Sequence, residues 1–354
     1  MRDVAVVGFA QRQMAELDGS PTCVELLVPI FAELFEQSGW TKEDIGFWCS
    51  GSSDYLAGRS FSFVSAVDAI GALPPVNESH VEMDAAWALY EAWVKIQTGE
   101  VDTALVYGFG KSSAGVLRRT LAMQLDPYTM TPLWPDTVSV AGLQARLGME
   151  QGLWDEQAMA EVVDRSLTDA EKNEYAVRNG GSSVDDLLGR PMYADPLRKH
   201  DCAPVTDGAA AIVLAAGDLA HQVQDQPAWI RGIAHHVDPL HLGTRDLTRA
   251  PSAQRAARTA GVAVAPVDVA ELHAPFSHQE LILRRELGIG EDTSVNPSGG
   301  ALASNPMFSA GLIRIGEAAR RIWSGEAGRA VGHATQGPAL QQNLVCVLAS
   351  EGVA

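Results

Sequence analysis

Short apolar runs alternate along this chain with longer stretches in which apolar residues recur every three or four positions. Residues 4–7 form a compact β-run closed by Gly8. Residues 23–37 then place Leu26, Leu27, Ile30, Phe31 and Leu34 on one face of a helix. A second strand is predicted at 47–51. A helix is predicted at 85–98, with Leu89, Trp93 and Ile96 on its buried face and Gly99 fit for the C-terminal cap. A buried strand is predicted at 103–109. The order repeats later, with strands at 207–214, 228–234, 267–272, 328–333 and 344–348. Helices at 252–260, 278–287 and 308–323 lie among them. Alternation of this kind is the mark of an α/β protein.

The stretch 111–200 breaks the rhythm. It holds Pro127, Pro132, Pro135 and Pro191 and the run Gly180-Gly181-Ser182-Ser183. Helical windows are confined to 137–149 and 154–175. It reads as an insertion laid over the sheet, framing a substrate pocket. Two halves are therefore expected, 1–220 (with the insertion) and 221–354. They share an order of elements but no sequence identity at a fixed period.

Composition narrows the classes. Of 354 residues, 46% are hydrophobic and 20% charged, enough for a large core and too apolar for disorder. Twenty-six Lys+Arg against 44 Asp+Glu give a net charge of −18. A surface that acidic repels nucleic-acid phosphates and anionic membranes. Cys23, Cys49, Cys202 and Cys346 form no Cys-x-x-Cys pair and no Cys/His zinc spacing, so neither a disulfide framework nor a metal site is expected. No apolar run approaches the length of a membrane span, and the N-terminus reads as a strand followed by glycine. A cytoplasmic protein is expected.

Four segments in series resemble the thiolase superfamily. They are Gly99–Lys111 (GEVDTALVYGFGK), Asp207-Gly208-Ala209-Ala210, Glu271-Leu272-His273-Ala274-Pro275-Phe276, and Asn296-Pro297-Ser298-Gly299-Gly300. The third is similar to an element of the sterol-carrier-type thiolases. The resemblance implies two βαβαβ-type halves in a five-layered αβαβα arrangement with an inserted loop domain. It departs from the family where the chemistry lies. Counting back through the helix before Gly108 places the family's nucleophilic cysteine at Glu82, within His80-Val81-Glu82-Met83-Asp84. The catalytic histidine loop reads Ala301-Leu302-Ala303-Ser304-Asn305-Pro306. That is one residue short, with Asn305 where histidine is usual. Near the C-terminus, the family's second cysteine is missing from Val331–Pro338, which carries His333.

Acyl transfer through a thioester thus lacks its nucleophile. A retro-aldol cleavage needs the same thioester enolate but no acyl-enzyme. It requires a base for the β-hydroxyl proton and donors for the oxyanion. The pattern resembles a divergent branch of thiolase-like aldolases that shorten steroid side chains on coenzyme A. The catalytic candidates are His273, Glu82, Asn305, His333 and Asp84. The substrate-binding candidates are Gly299, Gly300, Phe276 and Ser304. His273 could instead be a satisfied core histidine, and Glu82 or Asp84 only an acid favouring a helix N-terminus. The resemblance further implies a homodimer, paired through the strand 103–108, and a complex with an OB-fold, zinc-ribbon partner. Coenzyme A enters only as part of the substrate, with no other cofactor. Rival readings are a non-catalytic acyl-CoA-binding subunit and a divergent acyltransferase.

Overall fold

The computed structural model describes residues 2–15, 21–57, 60–71 and 73–352. Its first half contains strand β1 (Val4–Met14), helix α1 (Cys23–Ser38), β2 (Phe47–Gly51), α2 (Ser62–Ile70), β3 (Glu78–Val81), α3 (Ala85–Gln97) and β4 (Thr103–Lys111). The insertion follows, with α4 (Leu117–Ala122), α5 (Thr137–Glu150) and α6 (Glu156–Asp169), and β5 (Asp207–Ala216) closes the half. The second half contains β6 (Ala228–Val237), α7 (Pro251–Ala260), β7 (Val269–Leu272), α8 (Ser277–Leu287), β8 (Ser294–Val295), α9 (Ala310–Trp323), β9 (Arg329–Gln336) and β10 (Gln342–Ala349).

The sheet order is β8-β7-β9-β10-β6-β1-β5-β4-β2-β3. From the centre outward, each half runs first strand, last strand, fourth, second, third. The orientations match as well: β5 and β10 are antiparallel to both neighbours, the other pairs within each half are parallel, and β1 and β6, which join the halves, are antiparallel. The halves meet where Ala5 pairs with Trp229 and Val6 with Ala228. The order of elements read from the sequence is therefore a duplicated topology.

Side-chain alternation sorts the sheet's two faces into layers. Ala5, Val7, Leu105 and Tyr107 face α1 and α2. Val6, Val106 and Ile212 face the opposite way, toward Leu89 and Ile96 of α3 and Leu312 and Ile315 of α9. In the second half Leu344, Cys346 and Leu348 meet the same central helices. Val345 and Val347 point outward to α7 and α8. The result is five layers, helix–sheet–helix–sheet–helix, with α3 and α9 back to back in the middle.

Strand β4 sits inside the sheet, hydrogen-bonded to β2 on one side and β5 on the other. It has no free edge, so the expected pairing of two copies through 103–108 does not fit this fold. Its near-continuous apolar sequence reflects that burial on both faces. The strands of this sheet with an unpaired edge among the described residues are β3 and β8.

Candidate active site

Two glycines let the first turn of α3 settle on the strand ends. A Cβ at Gly51 would lie 2.5 Å from the backbone of Ala85, and one at Gly108 would lie 2.5 Å from the Phe308 carbonyl. Phe308, in the left-handed region at φ 67°, turns that carbonyl to accept from the N–H of Ala85 at 2.9 Å. These contacts bring the N-termini of α3 and α9 together.

Asp84 lies between them. It is the N-cap of α3, its Oδ1 accepting from Ala86 N–H at 2.9 Å. The same carboxylate accepts from Gly311 N–H at 3.0 Å and Leu312 N–H at 3.1 Å at the start of α9. Two helix dipoles thus converge on one buried carboxylate. Its own N–H donates to Gln336 Oε1.

Asp84 shares a cavity of about 350 Å³ with His273 and Asn305. His273 follows β7, and its Nδ1 accepts from Thr335 N–H at 3.3 Å. The ring proton is therefore on Nε2, which donates to Asn305 Oδ1 at 2.9 Å. Burial holds His273 below its usual range, against the opposing pull of Asp84. The neutral imidazole fixes the Asn305 amide with its oxygen toward the ring, leaving the amide N–H₂ free of any partner among the described residues. Asn305 N–H itself donates to Thr206 Oγ1. A carboxylate, a neutral imidazole and two amide donors can serve one reacting group.

The other expected residues fall elsewhere. Glu82 ends on the outside of the molecule, beside His80 at 3.5 Å and the N–H of Asp54 at 3.3 Å. It does not line the cavity. The chain turns between β3 and α3, so an ungapped count reaches Glu82 when the helix terminus is two residues later. His333 is fully buried in β9 and donates through Nε2 to Asn343 Oδ1 at 3.0 Å, away from the cavity lining. Asn343 lies in β10. Gly299 and Gly300 form the turn under the site: Gly299 packs on Ala170 and Gly300 on the Asn296 side chain. Ser304 is buried behind the wall. Phe276 does line the cavity.

The insertion adds apolar lining, with Leu117, Leu121 and Leu125 and with Val138 and Ala141 of α5, and residues 335–340 add more. Cys202 also reaches it, bridged to Phe276. Burial and the neighbouring Asp201 push that thiol up to about 12, out of reach of a thiolate. The other three cysteines are buried outside the lining. Among the described residues no cluster of three His, Cys, Asp or Glu could hold a metal, and no helix is long and apolar enough to cross a membrane.

Behind the cavity, His278 rests between Trp154 and Phe276 and donates through Nε2 to Gln144 Oε1 at 3.1 Å. Burial pushes it, and His333, down to about 3. An unfolded histidine takes its proton near pH 6.5, so the unfolded chain binds a proton that the folded chain refuses until about pH 3. The stabilising effect of keeping the ring neutral is complete above the unfolded value. It is lost on acidification by about 1.4 kcal/mol per pH unit per histidine. His278→Gln keeps a donor to Gln144 and is expected to flatten the fall of denaturant-measured stability below pH 6.5 by that amount. An unchanged slope would contradict the neutral assignment.

No family model matches the chain. It is 28% identical to the acetyl-CoA acetyltransferase of Methanothermobacter thermautotrophicus over 93% of each chain. Among solved structures, an Ltp2-ChsH2(DUF35) aldolase superposes with a TM-score of 0.80 over 99% of this chain and 98% of that one, at 16% identity. Human mitochondrial 3-ketoacyl-CoA thiolase gives 0.78 over 99% of both, at 17% identity.

Proposed function

The chain is a divergent member of the thiolase superfamily, and from that premise we propose that it is a carbon–carbon lyase cleaving a β-hydroxyacyl-CoA. The observation that carries this reading is Asp84: an anionic oxygen acceptor, not a thiolate, stands at the junction of two helix N-termini beside His273 and Asn305. An acyl-enzyme has no nucleophile there. A retro-aldol step needs none.

In this reading the thioester oxygen lies against the free N–H₂ of Asn305, and the β-hydroxyl lies against Asp84. A carboxylate has about four lone-pair sites, and three are taken by backbone N–H groups. The last accepts the hydroxyl. As its proton passes to Asp84, the Cα–Cβ bond breaks, leaving a ketone or aldehyde and the enolate of a short acyl-CoA. Negative charge on the thioester oxygen is met by the Asn305 donors, held in place by His273. The same proton returns from Asp84 to the enolate carbon, so no proton is gained or lost. His273 acts as a positioning residue, and His333 holds the fold behind it.

The apolar walls suit a bulky alicyclic acyl group, and a steroid side-chain thioester is the proposed substrate. The aldolase that superposes on this chain is a complex with a second protein. An OB-fold partner is accordingly proposed here, with a second copy of the chain as the other partner. The test is mass-spectrometric: the full chain, alone and with such a partner, is given a β-hydroxyacyl-CoA. A carbonyl product plus short acyl-CoA is expected. Binding without cleavage under both conditions would favour a carrier role, and labelled acyl transfer to the protein would overturn the mechanism.

A further inference from the structure

Arg178 stands in the irregular stretch after α6, where the sequence carries no periodic signal. Its backbone N–H donates to Ala303 O and its Nη1 to Cys202 O, each at 2.9 Å. The guanidinium lines the cavity and is half withdrawn from water. Among the described residues no carboxylate lies within ion-pair distance of it. The loss of hydration, opposed only in part by Cys202, pulls Arg178 below the usual arginine range while leaving it cationic. The other cavity cations differ. Arg118 is paired with Asp136 and stacked over Tyr193. Lys199 is exposed at the rim and has no ion pair among the described residues.

A guanidinium has five N–H donors, and one is used here. Partly desolvating that charge without an anion is costly, which points to an anion that arrives with the ligand. The place of Arg178 says which part of the ligand brings it. Ala303 lies two residues before Asn305, and Cys202 is bridged to Phe276, three residues after His273. Arg178 therefore borders the wall around the reacting end. We propose that Arg178, supported by Lys199 at the rim, binds a carboxylate carried by the acyl part of the thioester substrate. The proposal rests on the reading of this cavity as an acyl-thioester site. It narrows the substrate class to bulky acyl groups that bear a second, free carboxylate.

Matched thioesters test it by calorimetry on the full chain: glutaryl-CoA against pentanoyl-CoA, and adipyl-CoA against hexanoyl-CoA. Each pair differs in a terminal carboxylate. A charge-assisted contact of this kind is expected to favour the acidic member by roughly 10- to 100-fold. Arg178→Gln keeps a donor for Cys202 O and should level the pairs while leaving pentanoyl-CoA binding unchanged. A preference that is absent, or that survives Arg178→Gln, overturns the proposal. So does an Arg178→Gln loss that depends on the 3′-phosphate, seen by comparing coenzyme A with its dephospho form. If pentanoyl- and hexanoyl-CoA bind and only the preference fails, the acyl-thioester reading stands. If none of the four binds, both fall.

Discussion

Asn305→Ala is expected to lower the rate of carbon–carbon cleavage by about 10²–10³-fold, the usual cost of one lost oxyanion donor. The loss should fall on kcat, with KM little changed, because the amide meets charge that develops only as the bond breaks. Binding of an unreactive acyl-CoA should persist. His273→Ala removes no donor to the substrate, yet it frees the Asn305 amide to rotate, since the ring fixes its oxygen through the 2.9 Å contact. A fall in kcat of the same sense is therefore expected. His273→Gln, which can still donate toward Asn305, should recover part of it. A purely structural histidine would lower thermal stability in both variants without separating them in kcat. Asn305→Ala with wild-type kcat would sink the assignment.

How much of this was legible in the sequence depends on the kind of signal. Helices 23–37 and 85–98 show a 3.6-residue apolar face and appear within one residue of those bounds. Strand β4 reads as buried on both faces and is interior. Helix α2 carries the same period in Phe63, Ala66, Val67 and Ile70 but is only nine residues long and is not among the elements read from the sequence; edge strand β3 shows no pattern. Residues 78–81 are Glu-Ser-His-Val, half-exposed, and nothing in them alternates cleanly between apolar and polar. The site shows the same division. His273 and Asn305 carry motif positions and share the cavity with Asp84. Glu82 was reached by counting through a helix, and the count fails at the turn that precedes the cap. Arg178 and Cys202 were invisible as site residues. Arg178 comes from the insertion and Cys202 from the segment just after it, and their places are set by long-range contacts with Ala303 and Phe276 that leave no local period. The charge of −18 also reads differently in three dimensions. The few cations include Arg118, Arg178 and Lys199 around one cavity, so an anionic ligand does not meet a uniformly acidic surface.

Arg314→Met is expected to destabilise the fold by about 3–5 kcal/mol, the cost of breaking a buried ion pair from one side. Arg314 in α9 and Glu271 in β7 are almost wholly buried, and Nη1 lies 2.9 Å from Oε2. Ser298 completes the cluster, donating its N–H to Oε1 at 3.0 Å and its hydroxyl to Oε2 at 2.7 Å. One carboxylate thus joins the central helix, the sheet and the Asn296–Gly300 turn, directly before Leu272 and His273. Burial already pushes the Glu271 carboxyl up, and Arg314 opposes that shift. Without the arginine, Glu271 in the folded chain would protonate more readily still. A carboxyl whose folded pKa exceeds its unfolded value favours the folded state fully below the unfolded value, and that advantage is lost as pH rises. The deficit of Arg314→Met in urea unfolding should therefore narrow on acidification from neutral pH toward the carboxylate range. Arg314→Met combined with Glu271→Gln should recover most of the loss, because no buried charge is then left unpaired. A deficit equal at all pH values, or a double variant no better than the single one, would show that Arg314 stabilises by packing alone.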